Sequence, residues 1–137
     1  MPLIRSESQG GGDVLAHYVD SEKYADRIRK MNKAMREMLP MLNARLPNTV
    51  AWGLTSHNSL SLMSVSEYDA GDMHVTIESY HDGYFRMGYH PPSGYLPIPD
   101  SYVLFGAVGA TEAVDRILIA MAASGGWPDS DDLAEIA

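Results

Sequence analysis

The stretch His74 to His90 constrains the fold more tightly than any other part of the chain, because it reads as a β-hairpin turning at His81-Asp82-Gly83. A three-residue loop ending in glycine suits a type I turn followed by a left-handed residue, since glycine takes positive φ without a Cβ clash. That loop sets Tyr80 opposite Tyr84, Ser79 opposite Phe85, Glu78 opposite Arg86, Ile77 opposite Met87, Val75 opposite Tyr89 and His74 opposite His90. Side chains alternate between the two faces of a strand. Val75, Ile77, Phe85, Met87 and Tyr89 therefore share one face, and His74, Thr76, Glu78, Tyr80, Tyr84, Arg86 and His90 share the other. A two-residue loop at Asp82-Gly83 would carry Arg86 and His90 onto the apolar face and bury charge. The three-residue loop is the expected one.

A hairpin needs a partner layer, and a chain of 137 residues is long enough to supply one within a single domain. The absence of cysteine excludes disulfides, thiolate metal sites and a cysteine nucleophile, while leaving the redox compartment open. The opening residues lack the basic, apolar and small-residue order of a signal peptide, and no run approaches about 20 apolar residues, so the cytoplasm is the expected compartment. The net charge of −8 is unevenly spread. Residues 21–46 hold seven basic side chains against three acidic ones, whereas from residue 51 onward two arginines face twelve carboxylates. A basic helix thus adjoins an acidic body, which disfavours nucleic acid and would speed the approach of a basic protein.

Taken in order, residues 1–13 are polar and glycine-rich and are expected to form a flexible leader to a single domain over 14–128. A first helix is expected to be capped by Asp20 or Ser21, with Tyr24, Ile28, Met31, Met35, Met38, Leu42 and Leu46 as its apolar stripe. Pro40 should kink or break it near Glu37. A basic, methionine-bearing helix also suits membrane surfaces, but a single domain needs this stripe to cover its sheet. Val50, Trp52 and Leu54 alternate as one strand, and Leu60 to Tyr68 form the next, with a bulge near Leu62-Met63. The hairpin follows, then a segment with prolines at 91, 92, 97 and 99, which forbid a central strand. Tyr102 to Val108 is a fifth strand weakened by its glycines, and Thr111 is expected to cap a last helix ended by Gly125-Gly126, with Trp127 folding back. Residues 129–137 form an acidic, peripheral tail. The fold class is therefore α+β, a four- or five-stranded antiparallel meander with an N-terminal and a C-terminal helix packed on one sheet face.

Three constellations bear on chemistry. His74 and His90, opposite each other, with Asp72 two residues upstream, offer two imidazoles and a carboxylate to a metal ion. His57, within Thr55-Ser56-His57-Asn58-Ser59, is the best candidate for acid-base work, with Ser56 or Ser59 as a nucleophile, although no acid is placed to orient it and a polar turn explains the same residues. Tyr80, Tyr84, Arg86 and His90, with Tyr95 in the proline loop, form a partner-binding face of the residue types that dominate hot spots. Cross-strand pairing of Tyr80 with Tyr84 and of Glu78 with Arg86 would serve the sheet equally well. The sequence Gly106-Ala107-Val108-Gly109-Ala110 has too few glycines and no lysine for a nucleotide loop, and no aromatic stacking motif accompanies the basic helix.

In size, acidity and lack of a catalytic signature the chain resembles bacterial immunity proteins and secretion chaperones. The residues and their charge lead to the expectation of a non-enzymatic protein-binding module without cofactor, membrane or nucleic-acid partner, using its open tyrosine-arginine sheet face and proline loop, with an acidic body that favours a basic protein partner. The alternative is a small enzyme or metal-binding protein built on His57 or on His74 and His90, and self-assembly through the same face is compatible with both.

Overall fold

A computed structural model describes residues 3–66, 73–92 and 102–136. The hairpin forms in the expected register: β4 (Met73–Ser79) and β5 (Tyr84–Tyr89) pair Glu78 with Arg86, Ile77 with Met87 and Val75 with Tyr89. Its turn closes with Tyr80 N donating to Tyr84 O at 2.9 Å, and Gly83 takes φ +82, the left-handed conformation that suits glycine.

The sheet is wider than four or five strands. Its order is β1 (Leu3–Arg5), β2 (Ala51–Ser56), β3 (Ser59–Met63), β4, β5 and β6 (Val103–Val108), and every pairing is antiparallel except β1 on β2. The additional strand comes from the segment expected to be a flexible leader. Leu3 is buried, Ser6 N donates to Gly53 O, and Arg5 N donates to Gly12 O, so the glycine run folds back over its own strand. The sequence hides this because a parallel pair between distant segments has no local turn signal.

Helix α1 (Asp26–Ala44) starts later than a cap at Asp20 or Ser21 would place it. Its own side chains tie down the chain before it. Arg29 donates twice to the Asp20 carboxylate at 2.7 and 3.0 Å, Asn32 to Val19 O and Arg36 to Tyr18 O. The ion pair holds the Asp20 carboxyl below the usual carboxylate range. Tyr24 and Ile28 consequently stand free of the sheet, and the buried stripe begins at Met35 and continues through Met38, Leu39, Leu42 and Leu46. Pro40 does not break the helix. It lies on the exposed side, and its buried neighbours Met38, Leu39 and Leu42 hold the turn where a backbone donor is missing.

Helix α2 (Ala110–Ser124) is capped by Gly109 in place of Thr111, and Gly125 ends it in the left-handed conformation. Trp127 folds back and its Nε1 donates to Val50 O. The acidic tail is not peripheral. It makes a short helix α3 (Asp131–Ala134) whose Leu133 is buried, and Asp132 accepts from Asn48 N and from Thr49 Oγ1.

Both long helices pack on one face of the sheet, the inner face, which presents Leu60, Leu62, Val75, Ile77, Phe85, Met87 and Ala107. On β2 the small residues Ala51 and Gly53 face inward and Trp52 and Leu54 outward, and Leu60 and Val14 fill the space above Gly53. Tyr18 seals this end, its hydroxyl donating to Ser59 O at 2.9 Å, and burial pushes its phenol well above the ordinary range. No described helix is long and apolar enough to cross a membrane.

Candidate functional site

The outer face, turned away from the helices, gathers the residues singled out by sequence. Alternation along the hairpin places Glu78, Tyr84, Arg86 and Gly88 there, and the β5–β6 register adds Val108 opposite Tyr84, Gly106 opposite Arg86 and Leu104 opposite Gly88. Arg86 donates to both Glu78 oxygens, at 3.2 and 3.0 Å, and Tyr80 donates to Glu78 Oε2 at 2.8 Å. The Arg86 guanidinium lies 5.9 Å from the Tyr80 ring centre, and the Tyr80 and Tyr84 rings are 5.8 Å apart. The charge of Glu78 holds Arg86 protonated above its usual range, and the hydrogen bond to Glu78 pushes the Tyr80 phenol up. Arg86 Nε is shielded from solvent and bonds to no described residue.

Two tyrosines on this face cover glycines of the neighbouring strand. Tyr84 lies across Gly106, and Tyr102 lies across Gly88, so that a Cβ at either glycine would collide with the ring. Both are diagonal pairs, the arrangement in which an aromatic ring covers backbone that a glycine leaves bare. Burial pushes the Tyr102 phenol up, and its hydrogen bond with Thr76 draws it back.

Beside the paired and half-exposed Arg86 and Glu78, this end of the face exposes apolar and aromatic side chains. Val108 is 69% exposed, Leu104 55%, Tyr102 41% and Tyr84 37%, and all four stand next to one another at the β5–β6 end of the outer face. Toward β2 the same face closes, with Trp52 and Leu54 half-buried and Met63 fully buried. The sequence pointed to Tyr84 but not to Tyr102, Leu104 or Val108. Their signal was the uncharged alternation of Tyr102, Leu104 and Val108, which acquires meaning only once β6 is set against β5.

The histidine pair is not formed as expected. The register slips at Leu62-Met63, and the extra residue is on the facing strand: Leu62 pairs with Val75 and Met63 with Met73, leaving His74 as the bulge. A bulge re-aims its side chain, and His74 turns to the inner face, its ring edge-on to Trp127 at 5.3 Å and its Nε2 3.0 Å from Ser64 Oγ. His90 instead sits edge-on to Tyr102 at 4.8 Å. The two imidazoles therefore serve opposite faces. No group of three metal-ligating side chains occurs among the described residues; Asp72 and Tyr95 lie outside them. His57 forms the exposed β2–β3 turn with φ +47, and its carbonyl meets His17 Nε2 at 3.2 Å. The adjacent Ser59 hydroxyl donates to Ser56 O, so the loop's polar groups close the turn.

Compared with known proteins, the chain matches no family model, no curated protein and no solved structure.

Proposed function

We propose that this chain is a non-enzymatic protein-binding module whose contact surface is the β5–β6 end of the outer sheet face. One observation carries the reading: Tyr84, Tyr102, Leu104 and Val108 lie side by side and exposed, while the charges beside them are already paired. Covering such a patch removes apolar surface from water and strips little solvent from unpaired charge. The patch is neutral, since Arg86 answers Glu78. The net charge of −8 speeds the approach of a basic partner, while the contact itself is made by apolar and aromatic groups.

Leu104 and Val108 are the residues to change, because Tyr84 shelters Gly106 and Arg86 is held by Glu78, so substitutions there disturb the sheet. The immobilised wild-type chain is expected to retain a stoichiometric protein from lysate of its native source. The Leu104→Lys/Val108→Lys variant should lose it while melting within a few degrees of wild type. Equal retention by the two proteins would remove this surface from consideration.

A further inference from the structure

The two edges of the sheet differ. At β1 the chain covers its own edge, with an antiparallel bridge between Ile4 and Asp13 and the Arg5 to Gly12 hydrogen bond. At β6 no described strand or loop pairs with the edge, and the direction of its backbone groups follows from the ladder. In an antiparallel pair, alternate residues turn both backbone groups to the same neighbour. Tyr84 O accepts from Tyr80 N, so Tyr84, Arg86 and Gly88 address β4, and Phe85, Met87 and Tyr89 address β6. Gly109 N donating to Gly83 O agrees with that phase. Val103, Phe105 and Ala107 then bond to β5, leaving the N–H and C=O groups of Leu104, Gly106 and Val108 pointing outward. Among the described residues one group meets them: Arg116 of α2, paired with Glu112 at 3.0 Å, donates to Gly106 O.

Long, flat, uncharged edges are what soluble proteins avoid, using charge, proline, bulges or a cover. From Tyr102 to Ala110 this edge has neither charge nor proline. Among the described residues its one guard is Arg116. We infer that β6 is a strand-addition edge whose occupant is β6 of a second copy, joining two sheets into one across a two-fold axis at Gly106. This rests on the reading of the β5–β6 surface above and names its partner. An antiparallel pair centred on Gly106 sets Leu104 against Val108 of the other copy, so the two most exposed apolar side chains of the strand cover each other. It also brings the Tyr84 rings, each lying on a Gly106, to the two sides of the axis, and exposed Ile119, three residues beyond Arg116, flanks the seam on the helix side. The strand itself is uncharged and offers no complement to an acidic or a basic strand, whereas its own Leu104 and Val108 complement each other across the two-fold axis. Arg116 competes with the incoming backbone donor for Gly106 O and acts as a latch on the edge.

Sedimentation of the full chain tests this. At about 100 µM the wild type is expected to be mainly dimeric, an isologous pair being the commonest homo-oligomer. Leu104→Pro removes one outward N–H at an edge position where proline is tolerated and should yield a monomer. Leu104→Lys/Val108→Lys, which touches no backbone group, should do the same while melting as the wild type does at dilutions where it is monomeric. Arg116→Ala should tighten the dimer several-fold. Because the chain has no cysteine, Leu104→Cys mixed with Val108→Cys should form a disulfide-linked dimer that neither variant forms alone. A wild type that stays monomeric, or a dimer that survives the double lysine variant, overturns the inference. A monomer that still captures another protein through Leu104 and Val108 would leave the binding surface standing and this partner wrong; a monomer that captures nothing would end both.

Discussion

Gly106 and Gly88 are positions where the residue alone misleads. In sequence they weaken a strand, since glycine adds backbone freedom and no side chain to pack. In the sheet each supplies the space for a tyrosine from the next strand, and the ring restores the cover that glycine withholds. The pairing is a cause of the fold as well as a feature of its surface, and it can be separated from any binding role. Gly106→Ala should destabilise the chain by about 1–3 kcal/mol, the usual cost of forcing extra volume into a filled space. In a Tyr84→Ala background, with the ring gone, the same change should cost well under 1 kcal/mol. Denaturant melts of the four proteins give the coupling directly, and additive effects would show that the ring and the glycine do not press on each other. Tyr84 was recognisable in sequence as a surface aromatic. That it stands on Gly106 was not, because the contact depends on the register of β5 against β6, two strands that are not contiguous in sequence.

At the scale of elements, legibility followed locality. The hairpin was readable to the residue, since a three-residue loop ending in Gly83 and strict alternation fix the register without help from elsewhere. The bulge was readable in position but not in kind: the slip falls at Leu62-Met63, yet the added residue is His74, and that single displacement separates the two histidines expected to face each other. Polarity misjudged the two ends of the chain. Residues 3–5 and 131–134 are flanked by glycine or carboxylates, but Leu3 and Leu133 each bury a side chain that outweighs polar surroundings. The tail gives the sharper test. Leu133→Ala should cost about 2–4 kcal/mol, as large-to-small changes in a packed site do. Removing residues 129–137 should cost at least as much, because Thr49 and Asn48 also lose Asp132. A truncated chain with the wild-type melting temperature would return the tail to the periphery.

Charge acts on the whole molecule, and here its sign separates two kinds of association. Each chain carries −8, concentrated beyond residue 51, so two copies repel as they approach, while the β6 edge at which they would meet is uncharged apart from the Glu112–Arg116 pair. Salt should therefore strengthen self-association. Between about 0.1 M and about 1 M NaCl the screening length falls from about 10 Å to about 3 Å, which removes most of the repulsion between the bodies and leaves backbone pairing and apolar contact nearly untouched. The dimer should tighten several-fold across that range in sedimentation experiments, and Arg116→Ala should retain the same salt response because the repulsion comes from the bodies and not from the latch. Capture of a basic protein would move in the opposite direction, since screening weakens the attraction that brings it in. A dimer that loosens with salt would mean that ion pairs cross its interface, and a neutral strand edge could not then be the seam.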